Sequence, residues 1–202
     1  MSRILFDRFL LDEDGLLGPS PRYVIWFHGC NRMCPGCIAV DWNSKNKSEF
    51  DISVLTVIHT VMRNASVEGI TISGGEPFMQ LEALLELTRE LHEHSIGIIV
   101  YTGYELSELK QMKNSMVDEI ISYIDVLVDG RYIAELDDDK AFRGSSNQII
   151  HHFTDRYKNY YTQEKSRISR IEKKDGQGLL TGIPNASTRA IWNKTKELDG
   201  YK

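Results

Sequence analysis

Apolar and polar positions follow two different periods along this chain, and the switches between them mark out its elements. The first twenty residues read as a short strand, a polar turn at Asp12-Glu13-Asp14-Gly15, and then Gly18-Pro19-Ser20-Pro21. Tyr23 to His28 is a continuous aromatic and apolar run, which predicts a buried strand. A polar loop is expected over 38–50. Asp51 is placed as an N-cap, because Ile52, Leu55, Ile58 and Met62 then share one helical face. Glu68 to Ile72 reads as a short strand that ends in Ser73-Gly74-Gly75-Glu76-Pro77. Leu81, Leu84, Leu85, Thr88 and Leu91 mark an amphipathic helix. Ile96 to Tyr101 is the next strand, followed by a helix through Leu106, Leu109 and Met112. Ile124 to Val128 is another strand, ending in Asp129-Gly130-Arg131.

Strands that alternate with helices predict βαβ units around a parallel sheet. The strands are too few for a closed eight-stranded barrel, so the expected fold is α/β, a partial, open parallel βα barrel. The unusual residues sit just after each strand: Cys30, Gly74-Gly75-Glu76, Thr102-Gly103 and Asp129. Ligands of such sheets bind at the carboxyl ends of the strands, so one shared site is expected there. Beyond Asp129 the pattern weakens. Asp137-Asp138-Asp139 reads as an acidic turn, and Arg143 to Gln148 leads into a further strand at Ile149-Ile150. Residues 155–175 are polar and basic, with Tyr157, Tyr160 and Tyr161 among them. Gly178 to Pro184 suggests a terminal strand and turn, and the tail after Asn185 a short amphipathic or frayed helix. The expected division is a core over 1–154 and a C-terminal extension over 155–202.

Composition adds exclusions. A net charge of -5 on 202 residues argues against a general nucleic-acid binder. No apolar run is long enough to span a bilayer, and the N-terminus lacks a signal-peptide core. The expectation is a cytoplasmic protein with no membrane and no nucleic-acid partner, in a compartment where clustered thiols more often bind metal than form disulfides.

All three cysteines, Cys30, Cys34 and Cys37, fall in one C-x3-C-x2-C loop whose turn is made by Pro35-Gly36. Three thiolates this close suit a soft metal or an iron–sulfur cluster. A zinc site with His28 as fourth ligand is the competing reading. Structural zinc usually shows two separated ligand pairs, and no second pair follows here. A four-iron cluster on three cysteines leaves one iron open to a substrate or cofactor.

The loop resembles the signature of the radical SAM superfamily, which binds a [4Fe-4S] cluster through these cysteines and S-adenosylmethionine on the open iron. The resemblance implies one-electron cleavage of the sulfonium to methionine and a 5′-deoxyadenosyl radical, which abstracts a hydrogen atom. It places Gly36 and Ile38 near the adenine. Gly74-Gly75-Glu76 is similar to the superfamily's Gly-Gly-Glu motif, which receives the methionyl ammonium. Val100-Tyr101-Thr102-Gly103-Tyr104, Ile124 to Arg131, Arg143 to Gln148 and Gly18 to Arg22 resemble the activating enzymes of anaerobic ribonucleotide reductase. That likeness covers roughly residues 15–150. It implies that Thr102, Asp129 and Asn147 lie near the cofactor, with Asp129 toward its ribose or methionyl end. A helix cap or turn former is the competing reading of Asp129, and Asp125, on the face opposite Val126 and Val128, reads as a buried structural acid.

Two departures are visible. Ser20 stands where those relatives usually have glycine, and the chain runs on well past Gln148. The bases and tyrosines of the extension are either a docking surface for an acidic protein or a solvated face. With no cysteine beyond Cys37, an auxiliary all-cysteine cluster is excluded. The expected function is a radical SAM activase that installs a glycyl radical on a partner enzyme, fed by a low-potential donor of the flavodoxin or ferredoxin type. No side chain is needed as general acid or base. The alternatives are the same chemistry on a small molecule or peptide, with the tail closing the pocket, and a non-catalytic zinc- or cluster-binding module.

Overall fold

The computed structural model describes residues 2–39, 51–163, 165–174 and 177–198. Most of the polar loop expected over 38–50 lies outside the described residues. A seven-stranded sheet, in the order β3-β1-β2-β4-β5-β6-β7, organises the molecule. Its strands are β1 (Arg3–Asp12), β2 (Arg22–Phe27), β3 (Asp51–Ser53), β4 (Gly69–Gly74), β5 (Gly97–Tyr101), β6 (Val126–Asp129) and β7 (Ile149–His152). The central strands β2, β4, β5 and β6 are parallel. The outer strands β1, β3 and β7 run antiparallel to their neighbours. The architecture is therefore mixed α/β, with a parallel centre.

Side-chain alternation sorts the central strands into two faces. Ile25, Phe27, Ile70, Ile72, Ile98, Val100 and Leu127 belong to one core, packed with Val57 and Val61 of α1 (Val54–Arg63) and Leu84, Leu87 and Leu91 of α2 (Leu81–Glu93). Leu109 of α3 (Leu106–Gln111) and Val117 and Ile120 of α4 (Ser115–Tyr123) complete that layer. On the opposite face Val24 and Trp26 pack with Leu16 and Leu17, and Ile99, Val126 and Val128 with Tyr157. Leu16 and Leu17 are held there by Asp12, whose buried carboxylate accepts both of their backbone N–H groups at 2.8 and 3.2 Å.

Two helix expectations change. Asp51 is not the cap of α1. It lies in β3, opposite Leu5 and ion-paired to Arg3, and Ser53 caps the helix by accepting from Thr56 N at 3.2 Å. Strand pairing of Ile52 with Ile4 overrides the helical period, and the buried face becomes Val54, Val57, Ile58 and Val61. The single helix expected after residue 105 is two, α3 and α4, separated near Lys113, whose φ is +48°. Past β7 come the short α5 (Lys158–Tyr161), a hairpin of β8 (Ser169–Lys174) and β9 (Gln177–Gly182), and α6 (Ala186–Leu198). Among the described residues no helix is long and apolar enough to cross a membrane.

Candidate cofactor site

The parallel register brings the ends of β2, β4, β5 and β6 to one edge: Phe27 lies beside Gly74, Ile72 beside Val100, and Tyr101 beside Val128. Past the end of β2 the ladder continues, with Gly75 N donating to Phe27 O at 2.7 Å and Glu76 N to Gly29 O at 2.8 Å. This seats the Gly-Gly-Glu segment against the residue before Cys30. Glycine is required twice for that approach. A Cβ on Gly74 would lie 2.4 Å from the Phe27 backbone, and one on Gly75 2.0 Å from Gly29 O.

A cavity of about 190 Å³ opens on this edge. It is several times the roughly 30 Å³ share of one liquid water, which gives room for an organic ligand. Cys30, Cys34 and Cys37 line it, together with Gly74, Gly75 and Glu76. Thr102, Gly103 and Ile38 lie on the same wall, while Trp26, Leu17 and Tyr101 form an apolar floor.

Glu76 is fully buried. One carboxylate oxygen accepts from Phe78 N at 3.0 Å and Thr102 Oγ1 at 2.8 Å, and the other from Gly103 N at 2.8 Å. A carboxylate offers about four acceptor sites, so one is left for a donor in the cavity. Burial pushes the Glu76 carboxyl up to about 7, against these donors and the Arg32 guanidinium. A cationic ligand would supply the missing compensation.

In the cysteine loop, Cys37 N donates to Cys34 O at 3.1 Å across the Pro35-Gly36 turn, and Arg32 N donates to Cys30 Sγ at 3.3 Å. Burial pushes the Cys37 thiol up, Cys34 and Cys30 add to this, and an Ala39 backbone hydrogen bond and Arg189 oppose it. Bound iron would reverse that balance, because coordination takes up the thiolate charge. Among the described residues no three His, Cys, Asp or Glu side chains close on a single ion. The thiols instead share a cavity wall, which suits a polynuclear group that takes one thiolate per iron. His28 is not on that wall, and its Nδ1 lies 3.0 Å from the Asp7 carboxylate. The donor set of the loop thus fits an iron–sulfur cluster. The loop is locked to α3 by Arg32, whose Nη2 donates to both carboxylate oxygens of Glu108 at 2.8 and 2.9 Å and whose guanidinium lies 4.3 Å over the Tyr104 ring.

A family model described as a 4Fe-4S single cluster domain matches residues 16–151 of this sequence. The chain belongs to this family. Among curated relatives of the family member, an anaerobic ribonucleoside-triphosphate reductase-activating protein of Salmonella typhi is 33% identical over 143 residues, 67% of this chain and 90% of the relative. One of the same name from Haemophilus influenzae is 33% identical over 148 residues, 69% of this chain and 93% of the relative. The one from Enterobacteria phage T4 is 28% identical over 148 residues, covering 70% and 90%.

The family match spans every residue expected from sequence to hold the cluster or the cofactor, but the structure does not bring all of them to the cavity. Gly36 makes the loop's turn, with φ +72°, behind Cys37 and Ile38. Asp129 is buried and accepts from Leu106 N at 2.7 Å and Ile149 N at 3.2 Å, with His151 Nε2 2.8 Å away. Its side chain shares the parity of Leu127 and so leaves on the helix side of the sheet. Asn147 donates to Arg131 O at 2.8 Å and accepts from Ser145 Oγ at 2.7 Å. Asp125 is a buried acid that accepts from Ile98 N at 2.8 Å. Sequence reasoning passed over Arg32, Tyr132 and Gln148 as cavity residues, and Leu180, Ile183 and Arg189, which reach it from beyond the family match.

Proposed function

We propose that this chain is a radical SAM activase, and that its parallel strands serve as the partial, open barrel of that fold. Cys30, Cys34 and Cys37 would hold a [4Fe-4S] cluster, and Gly74, Gly75 and Glu76 the methionyl end of S-adenosylmethionine. When bound, the pair supplies one-electron cleavage of the sulfonium and a 5′-deoxyadenosyl radical that takes a hydrogen atom from the substrate. The residues' own work is positional. Glu76 gives the methionyl ammonium a carboxylate that Thr102 and Gly103 hold in place. Gly74 and Gly75 keep that carboxylate close to the cysteine loop, and Ile38 contributes apolar wall for the adenine. Gly36, Asp129 and Asn147 act from behind the wall, through the turn of the loop and the seating of Leu106, Ile149 and Arg131. The observation that carries this reading is the placement of the cysteine loop and a buried, cation-seeking Glu76 on one cavity.

The relatives are named as activating an anaerobic ribonucleoside-triphosphate reductase; on this reading such a reductase is the substrate, and one of its glycines becomes a glycyl radical. The electron would come from a cytoplasmic, low-potential flavodoxin or ferredoxin. The test is electron paramagnetic resonance on the reduced, reconstituted protein mixed with an anaerobic ribonucleoside-triphosphate reductase. A glycyl doublet on the reductase is the expected result, and none under any reducing condition would contradict it. A second reading, a small-molecule or peptide substrate, draws on the cover that Leu180 and Ile183 give the cavity. It predicts hydrogen abstraction without a reductase present.

A further inference from the structure

The segment after β7 lies outside the family match, yet it is fastened to the cofactor site by named contacts. Arg167 is its main bolt. With its side chain almost fully buried, it donates to Arg143 O at 2.8 Å, Gly144 O at 2.9 Å and Pro184 O at 3.2 Å, and pairs with Asp137 at 2.7 Å. Arg8 of β1 adds a bond to Leu180 O at 3.1 Å. These ties fix β9 and the Ile183-Pro184 turn against the cavity. Asn185 then starts α6, its Oδ1 accepting from Thr188 N at 2.8 Å, and the first turn of the helix presents Arg189 to the cysteine loop. Arg189 Nη1 donates to Gly36 O at 2.8 Å, and its guanidinium lies 4.8 Å from the centre of the Tyr132 ring. Tyr132 also backs the Gly36 turn, 3.7 Å from where a Cβ would stand.

The cysteine loop is therefore gripped twice. Arg32 ties its first half to α3, and Arg189 ties its second half to α6. We propose that Arg189 is a positioning residue, through which the C-terminal extension pins the Cys34–Cys37 turn in its cluster-holding conformation; this rests on the functional reading above. The planar guanidinium suits the task because it can stack on Tyr132 while donating in its own plane to the carbonyl. The extension is on this account a working part of the cofactor site. The family match ends before it, so this contact lies outside the part of the chain the family model covers.

The experiment is hydrogen–deuterium exchange of the full chain under anaerobic conditions, for wild type, Arg189→Met and Arg189→Lys. The methionine keeps an unbranched apolar stem against Tyr132, so the variant retains its packing. The Gly36 and Cys37 amides should exchange about tenfold faster in Arg189→Met, the net worth of one hydrogen bond, with β4 unchanged. Arg189→Lys should recover part of the protection. In reconstituted protein, iron release to a chelator should be several-fold faster in Arg189→Met and recover likewise in the lysine variant. Unchanged exchange in the loop, equal acceleration in β4, or faster exchange with iron release unmoved would each overturn the proposal. Should the wild type take up no four-iron cluster, the functional reading falls, and the exchange data on the apo chain still decide whether Arg189 pins the loop.

Discussion

Glu76 shows most clearly how one residue ties stability to function. Its carboxyl is pushed up to about 7 in the folded chain, from an ordinary 4.5. The folded state then holds more protons than the unfolded one between those values, so stability falls as pH rises through that window and stays reduced above 7. The difference corresponds to about 3 kcal/mol. Urea unfolding of the cluster-free protein should show a lower midpoint at pH 8 than at pH 5, and Glu76→Gln should flatten that dependence. The same variant should weaken S-adenosylmethionine binding at least tenfold, because the methionyl ammonium loses its counter-charge. Asp129 makes the opposite case. Asp129→Ala leaves Leu106 N and Ile149 N without their buried acceptor, at an expected cost of about 2–3 kcal/mol. In calorimetric titrations the variant that still folds should bind S-adenosylmethionine much as the wild type does. The orientation of Asp129 was legible from the chain. It stands two residues from Leu127 and four from Asp125, so strand parity sends it with them and away from Val126 and Val128.

At the scale of elements, strand order and register do most of the positioning. Each central strand reads as an apolar run, because helices cover one face and the Leu16, Leu17 and Tyr157 layer the other. This made the strands easy to find. The start of α1 was harder, because Ile52 serves a strand pairing with Ile4 that only the folded chain creates. The break between α3 and α4 was hidden too, since Lys113 takes a left-handed conformation without the glycine that would announce it. The close crossing of Gly75 over Gly29 O leaves no room for a side chain. Gly75→Ala should therefore displace the Gly-Gly-Glu segment and cost about 1–3 kcal/mol. Cluster incorporation, followed by the visible absorbance of the cluster, should fall together with the thermal midpoint.

Across the whole molecule, the cofactor edge was readable because its signals repeat: a cysteine loop, a Gly-Gly-Glu segment and a Thr-Gly pair each follow a strand, and parallel pairing aligns them. The C-terminal contribution was not readable. Leu180, Ile183 and Arg189 carry no motif, and long-range anchors such as those of Arg167 and Arg8 bring them to the cavity. Arg167→Ala should loosen that cover. It leaves Asp137 and four backbone carbonyls, those of Lys140, Arg143, Gly144 and Pro184, without their donor, and limited proteolysis should then cut the chain after β7 faster than in the wild type. Joint binding of a cluster and S-adenosylmethionine in this cavity, for radical chemistry, has one direct test. Anaerobically reconstituted protein is incubated with dithionite and S-adenosylmethionine, and 5′-deoxyadenosine is quantified. The wild type should form it, and a variant with Cys34→Ala should form none. A cluster-loaded wild type that forms none, or a colourless protein that takes up only zinc, would contradict it.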